Sequence, residues 1–185
     1  FSSGLIKAGA LQSSQSDFSR IDWKIIAVNP GDDSNYFGIT PSVTVSDNSK
    51  NRHFDPLYFA FPFSFYSNGM KAYVVKQIDA DNGICVIEEL SGVIPGKTPV
   101  IIECSSTSAN GNRLQLEPID VKCTPVTANK LDGVMFNTPE VLGIEPGAYH
   151  YRKVEYNPNT MRVLGVTSEG KLGFVTAPAG SESIP

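Results

Sequence analysis

Clusters of basic charge, histidine, cysteine and long apolar runs are all scarce in this chain, and each scarcity closes off a class of function. The 15 basic residues against 19 acidic ones give a formal net charge of -4. No Lys/Arg-rich run is present, so the phosphate-binding patch of a general nucleic-acid binder is missing. The histidines are His53 and His150 alone. Three cysteines, Cys85, Cys104 and Cys123, lie too far apart for the close pairs of a zinc site. No apolar run approaches the roughly 20 residues of a membrane-spanning helix. The longest, at 57–65, is broken by Pro62. No phosphate loop, nucleophile elbow or His-Glu-x-x-His is found. The chain begins at Phe1, which reads as a processed or excised piece, so the lack of a signal peptide carries no weight. The expectation is no cofactor, no metal, no nucleic acid and no transmembrane segment.

Strand signals fill the chain instead. Hydrophobic residues make up 41% of it, enough for a real core. Leu57, Phe59, Phe61, Phe63 and Phe65 occupy alternate positions, so an extended backbone puts them on one face. Left exposed, such a row would invite aggregation, so it reads as core. Residues 70–79 alternate likewise, 84–90 read as the returning strand, and Asp-Ala-Asp-Asn-Gly between them supplies the positive φ of a tight hairpin. Further strands are expected at 23–28, 36–39 paired with 42–45, 98–104, 113–116, 119–123, 147–156, 161–166 and 172–176. Residues 47–52 read as a polar loop. Residues 105–112 (Ser-Ser-Thr-Ser-Ala-Asn-Gly-Asn) read as an exposed flexible tip open to proteolysis. One helical turn fits in 127–133, but no segment sustains a 3.6-residue period. The pattern predicts an all-β, β-sandwich-like fold of short antiparallel strands and hairpin meanders. Residues 1–185 form a single domain, with 51–54 or 105–112 as the places where it would divide.

Residues 57–104 also carry a resemblance. Phe61-Pro62-Phe63, then Gly-Met-Lys-Ala-Tyr at 69–73, a hairpin, and Ile-Pro-Gly-Lys-Thr-Pro-Val-Ile at 94–101 resemble a module of secreted and cell-surface proteins of Bacteroidetes. Asn-Lys-Leu-Asp-Gly at 129–133 and the Tyr-rich and Leu-Gly-Phe strands of 147–174 are similar to its later part. Such modules stand beside leucine-rich repeats, adhesin-like domains and glycan-handling proteins. The resemblance covers about two thirds of the chain. It implies an extracellular or cell-surface β module, and it carries over no catalytic residue.

Candidate chemistry is thin beside that reading. The run Asp79 to Gly83 misses calcium-loop spacing, since the glycine is fifth where an EF-hand needs it sixth. Asp32-Asp33-Ser34-Asn35 reads as a solvated turn. Cys85 and Cys104 would form a disulfide if their strands were neighbours, but the odd cysteine count and apolar flanks favour small buried hydrophobes. Glu88 and Glu89, adjacent on a strand, point to opposite faces, and Glu103 would have to come near one of them for glycoside hydrolysis. Tyr149 and Tyr151 share one face of a strand, with His150 and Arg152 on the other. With Trp23 these are the candidate binding residues, since a sugar ring stacks on an exposed aromatic. Tyrosines packed as core with wet hydroxyls satisfy the same pattern. The leading reading is a non-catalytic surface or secreted module for scaffolding, adhesion or ligand binding, its partner a glycan or a surface protein. A carbohydrate-binding domain is the alternative, and a glycan hydrolase stands below it.

Overall fold

The hairpin expected over residues 70–90 forms as a pair of long strands. Strand β5 (Lys71–Asp79) returns as β6 (Ile84–Leu90). Gly83 takes φ +66° at the turn, a conformation that glycine reaches without steric cost. The Asp79 carboxylate accepts from the Asn82 amide at 3.1 Å and its side chain at 2.8 Å. Those bonds hold its pKa below the usual carboxylate range. The five residues are therefore a capped turn.

The computed structural model describes residues 25–26, 38–47, 50–59, 61–117, 120–133, 136–137, 150–151, 154–177 and 183–184. The remaining strands are β1 (Ile25–Ile26), β2 (Val43–Asp47), β3 (Lys50–Leu57), β4 (Phe63–Phe65), β7 (Val100–Cys104), β8 (Leu114–Leu116), β9 (Phe136–Asn137), β10 (His150–Tyr151), β11 (Val154–Glu155), β12 (Val163–Val166), β13 (Leu172–Val175) and β14 (Ser183–Ile184). Every pairing among them is antiparallel. The fold is all-β, and its sheets curl into a half-barrel. The one helical element among the described residues is a single 3₁₀ turn, Ala109–Gly111.

A five-stranded sheet, in the order β2-β3-β7-β5-β6, is the frame. Its register sorts the side chains onto two faces. Ala72, Ile102, Val100 and Val74 face one way and meet Phe63, Ile94, Leu114 and Leu116 of the smaller β1-β8-β4 sheet and its connections. Val43, Val45, Phe54, Val75 and Ile101 face the other way and meet Leu131 and the β12–β13 hairpin through Leu164, Leu172 and Phe174. Both faces of the sheet are covered, which explains the unbroken Val-Ile-Ile run of β7.

The phenylalanine row is core, as expected, but it is not one strand. β3 ends at Leu57 and β4 begins at Phe63, in a different sheet. Pro62, which has no N–H to donate, sits at the switch, and its carbonyl accepts from Glu117 at 2.9 Å. Phe63 is 1% exposed, and Leu57, Phe59, Phe61 and Phe65 pack around the same cluster. Phe63 meets Phe59 edge-on at 5.6 Å and Phe65 edge-on at 6.1 Å, the arrangement that aromatic quadrupoles favour.

Several expectations need correction. Residues 50–52, expected in the polar loop, open the strand β3, because β3 pairs with β2 on one side and β7 on the other. Residues 42–45 therefore pair with β3, while Gly38 bridges to Arg113. A Cβ on Gly38 would collide with the Ala109 carbonyl. Residues 120–133 hold neither a strand nor a helical turn. Cys85 and Cys104 are not on neighbouring strands, since β5 runs between β6 and β7, and all three cysteines are free.

The loop at 105–112 is no free tip. Asn112 is fully buried. Its Nδ2 donates to the carbonyls of Ile39 and Ser106, both at 2.8 Å, and of Ser108 at 3.1 Å. Its Oδ1 accepts from the Ser106 amide at 3.0 Å. One side chain thus ties the loop to itself and to the segment before β2. Of the two places considered for a boundary, 51–54 lies inside β3. The other leads from β7 into β8, whose leucines join the same core as Ile39.

Candidate functional site

The structure places the candidate binding residues only in part. Trp23, Tyr149 and Arg152 lie outside the described residues, as do Asp32 to Asn35. His150 and Tyr151 form β10, paired with Asn137 and Phe136 of β9. The strand expected over 147–156 contributes to two separate pairings, β10 with β9 and β11 with β14.

Three groups of the nucleophilic-catalysis type do come together. His53 of β3 lies opposite Cys104 of β7, and Asp55 lies opposite Ile102, so all three side chains leave the same face of adjacent strands. The electrostatics run against a nucleophile. A reactive cysteine needs its thiolate stabilised by nearby positive charge or a helix N-terminus. Burial pushes the Cys104 thiol up to about 12, and the charges of Asp55 and Glu103 push the same way. His53 spends Nδ1 on Thr44 Oγ1 at 2.8 Å. Asp55 accepts from the Ser42 amide at 3.1 Å and is raised by burial, so it ties down the start of β2.

The opposite face of the same strands carries a polar row. Arg52 grips Glu103 with two bonds, Nε to Oε1 at 2.8 Å and Nη2 to Oε2 at 2.9 Å. The Tyr73 hydroxyl donates to the same Oε2 at 2.8 Å. Lys71, beside Glu103 in register, reaches across to Glu89 at 2.9 Å. The Arg52 guanidinium also stands 5.1 Å from the ring centre of Phe54. Glu89 and Glu103 thus share a face with β5 between them, two strand spacings apart and offset by two residues along β5, about 12 Å in all. That is wider than the carboxyl pairs of inverting glycosidases, one of which must also be a raised, protonated acid. Arg52 chiefly, with Tyr73, holds Glu103 below the usual range despite its partial burial. Glu88 points to the other face, as expected, and faces Lys76 at 3.5 Å. Tyr73 is no activated phenol either, because burial and then the Glu103 bond raise its pKa above the ordinary tyrosine value. The row joins four strands with one another's charges. Among the described residues no group of three or more His, Cys, Asp or Glu could hold a metal ion. Among them no helix is long and apolar enough to cross a membrane.

A shallow cleft of about 190 Å³ lies beside the end of β6, between Leu90, Val93 and residues 124–126. It is smaller than the roughly 300 Å³ at which small-molecule sites begin. The unusual surface lies further along the same strand. Ile84 is 56% exposed, Val86 49%, Ile87 48%, and Ile78 beside them on β5 is 54% exposed. Along β6 the side chains alternate between faces, so apolar groups stand bare on both sides of it. β6 is the last strand of the sheet and hydrogen-bonds only to β5 among the described residues. The strand itself is the one expected over 84–90, but its bare apolar side chains were not among the expectations. The available signal was Ile-Cys-Val-Ile running straight into Glu-Glu, a break in alternation at a hairpin's returning strand.

Compared with protein-family models, with curated proteins and with solved structures, the chain finds no match in any of the three.

Proposed function

We propose that this chain is a non-catalytic β module that works by contact, as a scaffolding or adhesion unit of a larger secreted or cell-surface protein. One observation carries the reading: β6 sets Ile84, Val86 and Ile87 half-exposed on both sides of a sheet edge that pairs with β5 alone among the described residues. Exposed edges attract other strands, and proteins normally blunt them with proline, charge or a covering segment. Here the apolar stretch of the edge has neither charge nor proline. The polar row points the same way. Arg52, Glu103, Tyr73, Lys71 and Glu89 are engaged with one another, which braces the sheet that presents this edge. The resemblance of residues 57–104 to Bacteroidetes surface modules supplies the extracellular setting.

The test places a photo-cross-linking amino acid at Val86 in the full-length protein within cells that make it. A control carries the same group at Asn159, on the turn before β12. Position 86 is expected to cross-link to polypeptide well above the control, and surface proteolysis to release the module. Equal yields at the two positions would overturn the reading, as would turnover of glycosides or esters by the purified chain.

A further inference from the structure

We propose that β6 is an acceptor edge for β-strand addition, and that its partner is an extended segment of another polypeptide, apolar at its centre and basic at its ends. The inference rests on the contact reading above and names the partner's chemistry.

The backbone specifies the shape of the partner. β6 is seven residues long and bonded only to β5 among the described residues, so its outer side offers a row of alternating N–H and C=O groups. Another extended strand satisfies such a row and places its own side chains alternately on the two faces. No proline or register shift interrupts β6, because the one irregularity of the pair, between Val75 and Gln77, belongs to β5. That irregularity faces inward, where the Val75 carbonyl is taken by the Lys130 amide at 2.7 Å. The outer edge stays regular.

The side chains specify the composition. An added strand would lie beside Ile84 and Val86 on one face and Ile87 on the other, so its central residues are apolar on both faces. Acids bracket this stretch. Glu88 and Glu89 follow it, and Asp79 and Asp81 precede it at the turn. The hairpin 71–90 holds four acids and two lysines. Lys71 and Lys76 sit on β5, on the inner side of β6, and both glutamates remain about half-exposed. A second copy of this chain fits poorly. Antiparallel pairing about Val86 would lay Glu88 and Glu89 beside Ile84 and Gly83 of the other copy, next to its Asp81. Like charges so placed destabilise a pair of strands. Lysine or arginine at the ends of the incoming strand would reverse that sign.

The experiment uses the purified chain and three synthetic peptides. One is Lys-Thr-Val-Val-Ile-Thr-Lys, the second has both lysines replaced by glutamate, and the third has proline at its centre. Fluorescence anisotropy reads affinity, and amide hydrogen exchange reads protection at residues 84–90. The basic peptide is expected to bind and to slow exchange at 84–90, the acidic one to bind about fivefold more weakly, and the proline one not at all. Val86→Lys is expected to weaken the basic peptide about tenfold. The double change E88K and E89K lies on exposed side chains and is expected to exchange the order of the basic and acidic peptides. Melting of each variant shows that it is folded. Equal binding of basic and acidic peptides, or no protection at 84–90, overturns the proposal. Concentration-dependent protection of 84–90 in the chain alone, abolished by Val86→Lys, would instead make the partner a second copy. If Val86 cross-links in cells while the peptides are not distinguished, the contact surface stands and strand addition by a basic partner falls.

Discussion

Asn112 donates from Nδ2 to the carbonyl of Ile39 at 2.8 Å, joining two positions 73 residues apart. The bond closes the loop 105–112 over the start of the central sheet. Replacing Asn112 with alanine leaves the buried Ile39 carbonyl without this donor and removes the ties to Ser106 and Ser108, and an unsatisfied buried group costs about 1–3 kcal/mol. The Asn112→Ala variant is therefore expected to lose roughly 2–4 kcal/mol in urea unfolding. It should also become sensitive to limited proteolysis within 105–112, where the unaltered chain resists.

Glu103 and Tyr73 make the stability of the sheet depend on pH at both ends. Glu103 is held below the ordinary glutamate value, chiefly by Arg52. Its contribution is present above about pH 4.3 and is lost as pH falls through the lower folded value. Tyr73 is raised, by burial first and the Glu103 bond second. Its contribution is present below about pH 10 and is lost as pH rises beyond that. Melting curves across pH should show Glu103→Gln flattening the acid limb and Tyr73→Phe flattening the alkaline one. Unchanged limbs in both variants would mean that the row does not form.

Cys104 is buried, its thiol pushed up to about 12, while Cys85 and Cys123 are partly exposed. Iodoacetamide at pH 8 is expected to spare Cys104 in the folded chain and to modify it after denaturation. Mass spectrometry of the digested protein reads each site. Rapid native modification of Cys104 would contradict the burial and reopen its pairing with His53.

Phe63 lies in the aromatic cluster at 1% exposure. Phe63→Ala is expected to cost about 3–5 kcal/mol, the range for emptying an aromatic site in a core. Phe65→Ala, at the partly buried end of the row, should cost less.

The elements legible in the sequence are those whose local pattern and tertiary role agree. Period-two alternation marks β5, and Asn-Gly marks its turn into β6. β3 was invisible because Lys50 to Pro56 holds one apolar core residue, Phe54. Its stability comes from its neighbours in the sheet, Glu103 bound by Arg52 from 51 residues away and Thr44 bonded to His53 across the β2–β3 hairpin. The phenylalanine row showed its face correctly and hid the change of sheet at Pro62. The loop 105–112 looked mobile because composition does not show that one of its asparagines is buried. The exposed apolar edge was missed for a related reason. Strand pattern shows which residues alternate, whereas edge position is fixed by the order of strands, which long-range pairing decides.

Amide hydrogen exchange of residues 84–90, measured in the isolated chain and again in the full-length protein within its native assembly, tests the central claim most directly. Exchange on the outer side of β6 is expected to be fast in the isolated chain and slow in the assembly, with 100–104 protected in both. Equal exchange at 84–90 in the two states would contradict it, because the edge would then have no partner.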